Sequence, residues 1–444
     1  RDCLLSRGLG DVYKRQTWRG QRTINLNKHM TEGMRFRNKL AYDLIRGIPQ
    51  MVGLRTQFVH LYVKDNTEEP GGKFEDYGIY TQVEQLNKTA LKSHGLDSNG
   101  QLYKINSFEF YRYEDIIKKE DDAGYDKTAF EKMLEIKGDS DHTKLIDMLT
   151  DLNDYSIGIE DVLKEHFDEE NIVYWMAFQI LMGNVDTQNR NVYLYSPLNS
   201  DIWYFIAWDN DGCLMRPEYE LRNFSDQNSW EKGISNYWGN ILFQRCLKSR
   251  SFREKLNDAI LDLREYLNKD MLTSKIESYK NVLKPYLYLM PDAEYEPLTS
   301  EQYDQIAASL PDEIEKNYQL YLESLETPMP FYIGVPTIDG DKLKFNWDVS
   351  YDLDAEDITY SVEVARDYLF RDVIYQNTTL IVPEAEMDLP EAGQYFVRVR
   401  ATNTSGKTQD AFDYYVTDEG KYYGMRCFYI TEDSTVEEDD YEEG

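Results

Sequence analysis

Glu170–Gly212 reads ENIVYWMAFQILMGNVDTQNRNVYLYSPLNSDIWYFIAWDNDG. Its first part carries Ile172, Val173, Trp175, Met176, Ile180 and Leu181, a spacing that predicts a buried helix rather than a strand, ended by Gly183 and Asn184. A polar loop follows, with Asn191 five residues after Asp186. Val192–Tyr195 and Ile202–Trp208 read as two short strands joined by a Ser-Pro-Leu-Asn-Ser-Asp turn. The second strand delivers Asp209 and Asp211 at its end. Pairing of the two strands as a hairpin brings the chain back to where it left, so the Asp186/Asn191 loop and the Asp209/Asp211 pair are expected to face one another. Four oxygen-bearing side chains at one rim make a candidate site for a hard divalent cation.

Each motif alone has a plainer reading. Asp-x-x-x-x-Asn is common as a turn or helix-capping device. Asp-x-Asp after an apolar strand serves equally well for the manganese of a nucleotide-sugar transferase. An EF-hand does not fit, because Ala207 occupies the first of the alternating oxygen-ligand positions. The linked order is more specific: helix, loop with Asp and Asn, hairpin, Asp. Protein-kinase-like phosphotransferases build their centre in that order.

Five segments occur in sequence: RFRNKLAYDLIRG (35–47), YGIYTQVEQLNK (77–88), QLYKIN (101–106), MGNVDTQNRNVYLY (182–195) and WYFIAWDND (203–211). Together they resemble the spore-coat CotH kinase family, an atypical bacterial kinase-like group, and the resemblance extends to about residue 289. It implies an α+β, diverged protein-kinase-like fold and ATP- and divalent-metal-dependent protein phosphorylation, with Mg2+ or Mn2+. By the same resemblance Asp186 takes the place of the catalytic-loop aspartate, Asp209 that of the metal-binding aspartate and Asn191 that of the second metal ligand, with Asp211 a further metal candidate. Gly183-Asn184-Val185 stands where ordinary kinases have His-Arg, and Asp209-Asn210-Asp211-Gly212 replaces Asp-Phe-Gly. Family members usually carry a further β-rich portion before residue 35, so the fold is expected to be N-terminally truncated here.

A nucleotide site also needs positive charge. Phe58–Val63 and Gly78–Val83 read as a hairpin around the charged insert 64–77, Glu84 follows, and Leu102–Lys104 is a brief strand ending in lysine. In kinase-like sites a lysine holds the phosphates and a glutamate orients it, which makes Lys104 and Glu84 the expected pair. Thr-Ile-Asn-Leu-Asn (23–27) alternates like a strand. Arg37 and Lys39, in the amphipathic segment Phe36–Ile45, are the remaining candidates to contact phosphates; the plainer reading is a solvated helix face.

The rest divides by composition. Residues 1–16 (RDCLLSRGLGDVYKRQ) are basic, unlike the acidic remainder of the chain, and read as a non-native leader. Helices are expected at Lys127–Ile136, Asp141–Leu152, Trp238–Leu247, Ser251–Tyr266, Leu272–Leu283 and between Pro297 and Leu325. The segment before Trp238 stands where an activation segment would, without an Ala-Pro-Glu motif. A kinase-like domain over 17–325 is thus followed by a linker at 326–330. Leu343–Trp347, Thr359–Val364, Ala392–Ala401 and Ala411–Val416 then alternate between turn residues, predicting an antiparallel β-sandwich over 331–417. Trp347 and GQYFVRVRATNTSG (393–406) resemble a fibronectin type III module. An acidic tail, 418–444, completes the chain.

With 49 Lys and Arg against 81 Asp and Glu, the formal charge of −32 argues against nucleic acid or an anionic membrane face as partner. No apolar run approaches a membrane span. Cys3, Cys213, Cys246 and Cys427 show no zinc spacing and no indication of structural disulfides. The expected activity is phosphoryl transfer to a protein hydroxyl on a surface or spore-coat-like protein, with an extracellular or cell-surface location following from the family resemblance and the appended sandwich. A catalytically silent surface scaffold and a metal-dependent glycosyltransferase are the two other classes.

Overall fold

The computed structural model describes residues 17–65, 67, 72–222, 230–418 and 420–438. Two compact units divide them within the helix Glu313–Leu325. The first comprises residues 17–222 and 240–318, the second 230–239 and 319–438.

The first unit is mixed α and β. In chain order it runs β1 (Ile24–Asn27), α1 (Arg37–Ile45), β2 (Thr56–Val63), β3 (Glu75–Glu84), α2 (Lys88–Ser93), β4 (Gln101–Ile105), α3 (Lys127–Met133), β5 (Leu134–Ile136), α4 (Thr143–Asn153), α5 (Ile159–His166), α6 (Glu169–Leu181), β6 (Val192–Ser196) and β7 (Tyr204–Ala207). There follow α7 (Arg216–Leu221), α8 (Ile241–Lys248), α9 (Arg250–Tyr266), α10 (Lys269–Leu287) and α11 (Ser300–Ser309). Two antiparallel sheets carry the strands, in orders β1-β3-β2 and β5-β4-β6-β7.

α6 forms where the apolar spacing predicts. Asp168 caps it by accepting the Asn171 N–H at 3.0 Å, and Glu169 and Glu170 occupy the first turn, where the helix dipole favours negative charge. Ten of its 13 residues are buried. Trp175 stacks on Phe243 of α8 at 5.6 Å and meets Phe205 of β7 edge-on at 5.1 Å. Asn171 closes the free edge of β7, accepting the Phe205 N–H at 2.7 Å and donating to the Phe205 carbonyl at 3.2 Å. A side-chain amide thus replaces a neighbouring strand, which prevents further strands from adding there.

The segment 127–136 is only partly helical. Leu134 leaves α3 with ψ 95° and begins β5, which pairs with β4 in the register Tyr103↔Ile136. An available sheet edge decides against helix for Leu134-Glu-Ile, a choice that local propensity does not contain.

From Thr337 to Glu438 the second unit is an all-β sandwich. Its sheets are β12 (Glu384–Asp388), β9 (Lys342–Asn346) and β8 (Thr337–Asp339) on one side, and β11 (Val373–Leu380), β10 (Ile358–Ala365), β13 (Gly393–Asn403), β17 (Met425–Ile430) and β18 (Val436–Glu438) on the other; β14 (Thr408–Asp410) also pairs with β13. β15 (Tyr414–Thr417) and β16 (Gly420–Tyr423) form a separate hairpin. Trp347 is buried against Tyr360 at 5.5 Å. Tyr395, near the start of β13, turns its hydroxyl back to donate to the Glu391 carbonyl at 2.8 Å, the tyrosine corner of Greek-key sandwiches. The expected boundary at 417 is too early. β17 pairs along β13 from Gly393↔Ile430 to Arg398↔Met425, four of its six residues are buried, and β18 pairs with it in turn, so the sheet runs to Glu438. Residues 1–16 and 439–444 lie outside the described residues.

Candidate functional site

The open end of the β6–β7 hairpin is where the Asp186–Asn191 and Asp209–Gly212 loops meet. Val192 pairs with Ala207, and the Trp208 N–H donates to the Asn191 carbonyl at 3.1 Å. Beneath them, the end of α6 supplies a buried amide relay. Asn184 donates to Gln179 at 3.0 Å, Gln179 donates to Asn210 at 3.2 Å, and the Leu214 N–H reaches the Met182 carbonyl at 2.8 Å. Gly212 packs against the end of α6 and the start of the Asp186 loop. A Cβ there would stand 2.6 Å from Asn184 Oδ1 and 3.9 Å from Asp186 Cβ.

Asp186 is half-exposed and engaged on both oxygens. Asn191 Nδ2 donates to Oδ2 at 2.8 Å and to the Asp186 carbonyl at 3.0 Å, while Arg190 Nε stands 3.5 Å from Oδ1. Desolvation raises the Asp186 pKa from its ordinary value and the Asp211 charge adds to it, against the pull of Arg190 and Asn191. Asn191 (φ 58°) and Asp209 (φ 48°) are both left-handed. Such conformations cost non-glycine residues on the order of 1–3 kcal/mol and gather at functional sites.

The acidic loop rests on α1. The Asp209 N–H donates to the Tyr42 hydroxyl at 3.1 Å, the Asn210 N–H to Asn38 Oδ1 at 3.1 Å, and Asn38 Nδ2 lies 3.5 Å from Asp209 Oδ1. Asp211 lies 3.6 Å from the buried His29. Burial lowers the His29 pKa, but Asp211, Glu32 and Asp209 outweigh it and the net shift is upward.

The expected phosphate ligands separate into two groups. Lys104 lies on β4 opposite Tyr193, its Nζ 6.0 Å from the Trp208 ring and hence beside the acidic loop. Glu84 is not presented to it. Both Glu84 oxygens are taken: Oε1 by Arg55 Nε at 3.0 Å, and Oε2 by the Arg55 N–H at 3.1 Å and His94 Nε2 at 2.8 Å. Burial opposes ionisation, yet His94 and Arg55 hold this carboxyl down at about 2. Arg37 and Lys39 do not face a cleft either. Arg37 is fully buried, donating to Glu32 at 2.7 Å, Glu218 at 2.6 Å and the Leu214 carbonyl at 3.3 Å. Lys39 pairs with Asp43 at 2.7 Å and donates to the Thr56 hydroxyl at 3.2 Å, between the rings of Phe58 and Tyr279. α1 is buried on nearly every side, so its cations had to find internal carboxylates.

Among the described residues no group of three or more His, Cys, Asp or Glu side chains converges to hold a metal unaided. The arrangement does fit a cation delivered with phosphates, since magnesium is commonly bound by one or two carboxylates plus substrate oxygens and water. The oxygen-bearing side chains at this rim are those of Asp209, Asp211 and Asn191.

The family model described as CotH kinase protein matches residues 9–321, well over half of the chain. The chain belongs to the CotH kinase family. The CotH match spans both candidate loops and α1. Inner spore coat protein H of Bacillus subtilis (strain 168) is 23% identical over 297 residues, covering 66% of this chain and 75% of that protein. Among solved structures, the Helicobacter pylori proinflammatory kinase CtkA is 12% identical, covers 68% of this chain and 91% of that one, and has a TM-score of 0.34. The Shewanella oneidensis HipA, HipB and operator DNA complex is 10% identical, with coverages of 68% and 58% and a TM-score of 0.26.

Asn38, Tyr42, His29 and Arg190 are the neighbours that reading the sequence missed. Asn38 and Tyr42 lie inside the quoted RFRNKLAYDLIRG segment at i, i+4, the spacing that puts two polar groups on one side of a helix. Arg190 stands at i+4 from Asp186.

Proposed function

We propose that this chain transfers the γ-phosphoryl group of ATP to a Ser, Thr or Tyr hydroxyl of a protein substrate, with Mg2+ or Mn2+ accompanying the nucleotide. The observation that carries this reading is the meeting of Asp186, Asn191 and Asp209 at one hairpin end, in a chain of the CotH family. Asp186 accepts the proton of the attacking hydroxyl as that oxygen bonds to the γ-phosphorus; the bond to the bridging oxygen breaks and ADP leaves with the electron pair. Its raised pKa improves it as a base near neutral pH. Asn191, with Nδ2 given to Asp186, keeps Oδ1 as a ligand, and Asp209 and Asp211 offer carboxylate oxygens. A bound cation would supply charge neutralisation on the phosphates. Lys104 above Trp208 and Arg190 beside Asp186 are the protein cations for the same task, in place of Arg37 and Lys39. Glu84 anchors Arg55 and His94 instead of taking part.

We read the sandwich as a fibronectin type III-like module, a reading supported by its two sheets and the Tyr395 corner. A cell-surface or spore-coat location, with a surface or coat protein as acceptor, fits the coat protein to which the chain is similar.

Labelled ATP, Mg2+ or Mn2+ and a general protein acceptor test the proposal. Transfer should fall by about 100-fold or more in Asp186→Asn with ATP binding retained, and Asp209→Asn should weaken metal-dependent binding as well. Transfer that persists in both variants contradicts the assignment, and metal-dependent turnover of a sugar nucleotide instead would move the chain to another class.

A further inference from the structure

Beyond the side chains that face the hairpin's open end, two that never reach solvent control how the acidic loop leaves β7. At Asp209 the chain stops being extended and turns left-handed, with φ 48°. Its N–H and that of Asn210 leave the sheet and find acceptors on α1, Tyr42 Oη and Asn38 Oδ1, each at 3.1 Å. Both acceptors are 1% exposed and lie one helical turn apart. Asn38 uses its other end as well, with Nδ2 3.5 Å from Asp209 Oδ1. Without these acceptors the two N–H groups would lose the partners they have on α1, that of Asn210 at a fully buried residue, and Asp209 would gain by relaxing to the extended backbone of β7. That relaxation redirects the Asp209 carboxylate, whose Oδ1 stands 3.5 Å from Asn38 Nδ2 in the left-handed conformation.

We propose that Asn38 and Tyr42 are positioning residues that hold Asp209 in its left-handed conformation and thereby aim its carboxylate for the metal–nucleotide complex. The role rests on the reading of Asp209 as a metal ligand given above. Neither side chain touches substrate; each acts through Asp209.

A double-mutant cycle on the full chain tests this. Tyr42→Phe and Asn38→Ala are made alone and with Asp209→Asn. The readouts are the Mg2+ concentration for half-maximal ATP binding, the thermal midpoint, and hydrogen exchange at the Asp209 and Asn210 amides. Each single variant should raise the Mg2+ requirement about tenfold, the range seen when partners behind a metal ligand are removed. In the Asp209→Asn background neither should shift it further, because the residue through which they act is already lost. Exchange at the amide that lost its acceptor should accelerate in both backgrounds. Variants that lower the thermal midpoint but leave the Mg2+ requirement unchanged overturn the positioning role, as does an equal shift in both backgrounds. A wild-type chain that binds no ATP at any metal concentration overturns the proposed function itself and the role with it, whereas ATP binding by wild type with unaffected variants overturns the role alone.

Discussion

Arg37 illustrates why charged residues in a motif are poor guides to phosphate contacts. Its side chain is fully enclosed between Glu32 and Glu218, and the second of these lies 181 residues away in the chain. No local pattern announces such a partner, so composition suggested a solvent or ligand role where folding made an internal ion cluster. Arg37→Met should cost about 3–5 kcal/mol in denaturant unfolding by leaving the buried Glu32 without its ion-pair partner and Glu218 with Arg222 alone; a loss below about 1 kcal/mol would contradict the clustering. Glu84 makes a second measurable case. Its carboxyl is held at about 2 against an ordinary 4.5, so its contribution is present in full above pH 4.5 and disappears as pH falls through about 2. Glu84→Gln should therefore destabilise on the order of 3 kcal/mol at neutral pH, and the difference from wild type should shrink steadily below pH 4.5. A pH-independent difference would mean that Glu84 contributes by packing alone.

The helix α6 and the β6–β7 hairpin were legible because each announces itself locally: a dense apolar spacing for one, alternating aromatic and β-branched residues around a Ser-Pro turn for the other. β5 was not, because Leu134-Glu-Ile becomes a strand only when β4 offers its edge. α1 was recognised as a helix but misjudged in its environment, since its polar residues look outward-facing until Asp209, Asn210, Glu218 and Thr56 are brought around it. The contact of the two site loops depends on the missing side chain at Gly212. Gly212→Ala places a Cβ 2.6 Å from Asn184 Oδ1, so the buried Asn184 side chain or the loop backbone must shift. Phosphoryl transfer should drop about tenfold or more, as small misplacements of reacting groups do, with only a modest change in thermal midpoint. Unchanged turnover in Gly212→Ala would show that the loops need not touch.

At the level of the entire chain, the C-terminal β-sandwich was visible in the change of hydrophobic period after residue 330, but its end was not, nor was the division of the two units within the helix Glu313–Leu325. Met425–Ile430 sits between acidic stretches that read as tail, yet Phe428 is fully buried and packs on Phe345 at 6.0 Å and on Tyr395 at 5.9 Å. A chain shortened after Thr417 should lose the cooperative unfolding of the sandwich and become protease-sensitive there, while one ending at Glu438 should keep both properties; equal resistance of the two would contradict a structural β17. Among the described residues no helix is long and apolar enough to cross a membrane. The net charge of −32 makes nucleotide binding depend on the few cations at the hairpin end and on the accompanying metal. A crystal of the full chain grown with Mn2+ and a non-hydrolysable ATP analogue, recorded for anomalous scattering, examines that dependence directly. The account predicts a Mn2+ peak about 2–2.5 Å from oxygens of Asp209 and Asn191, with the nucleotide phosphates completing its shell. Bound nucleotide with its metal on other residues, or a Mn2+ peak away from the β6–β7 hairpin, would contradict it.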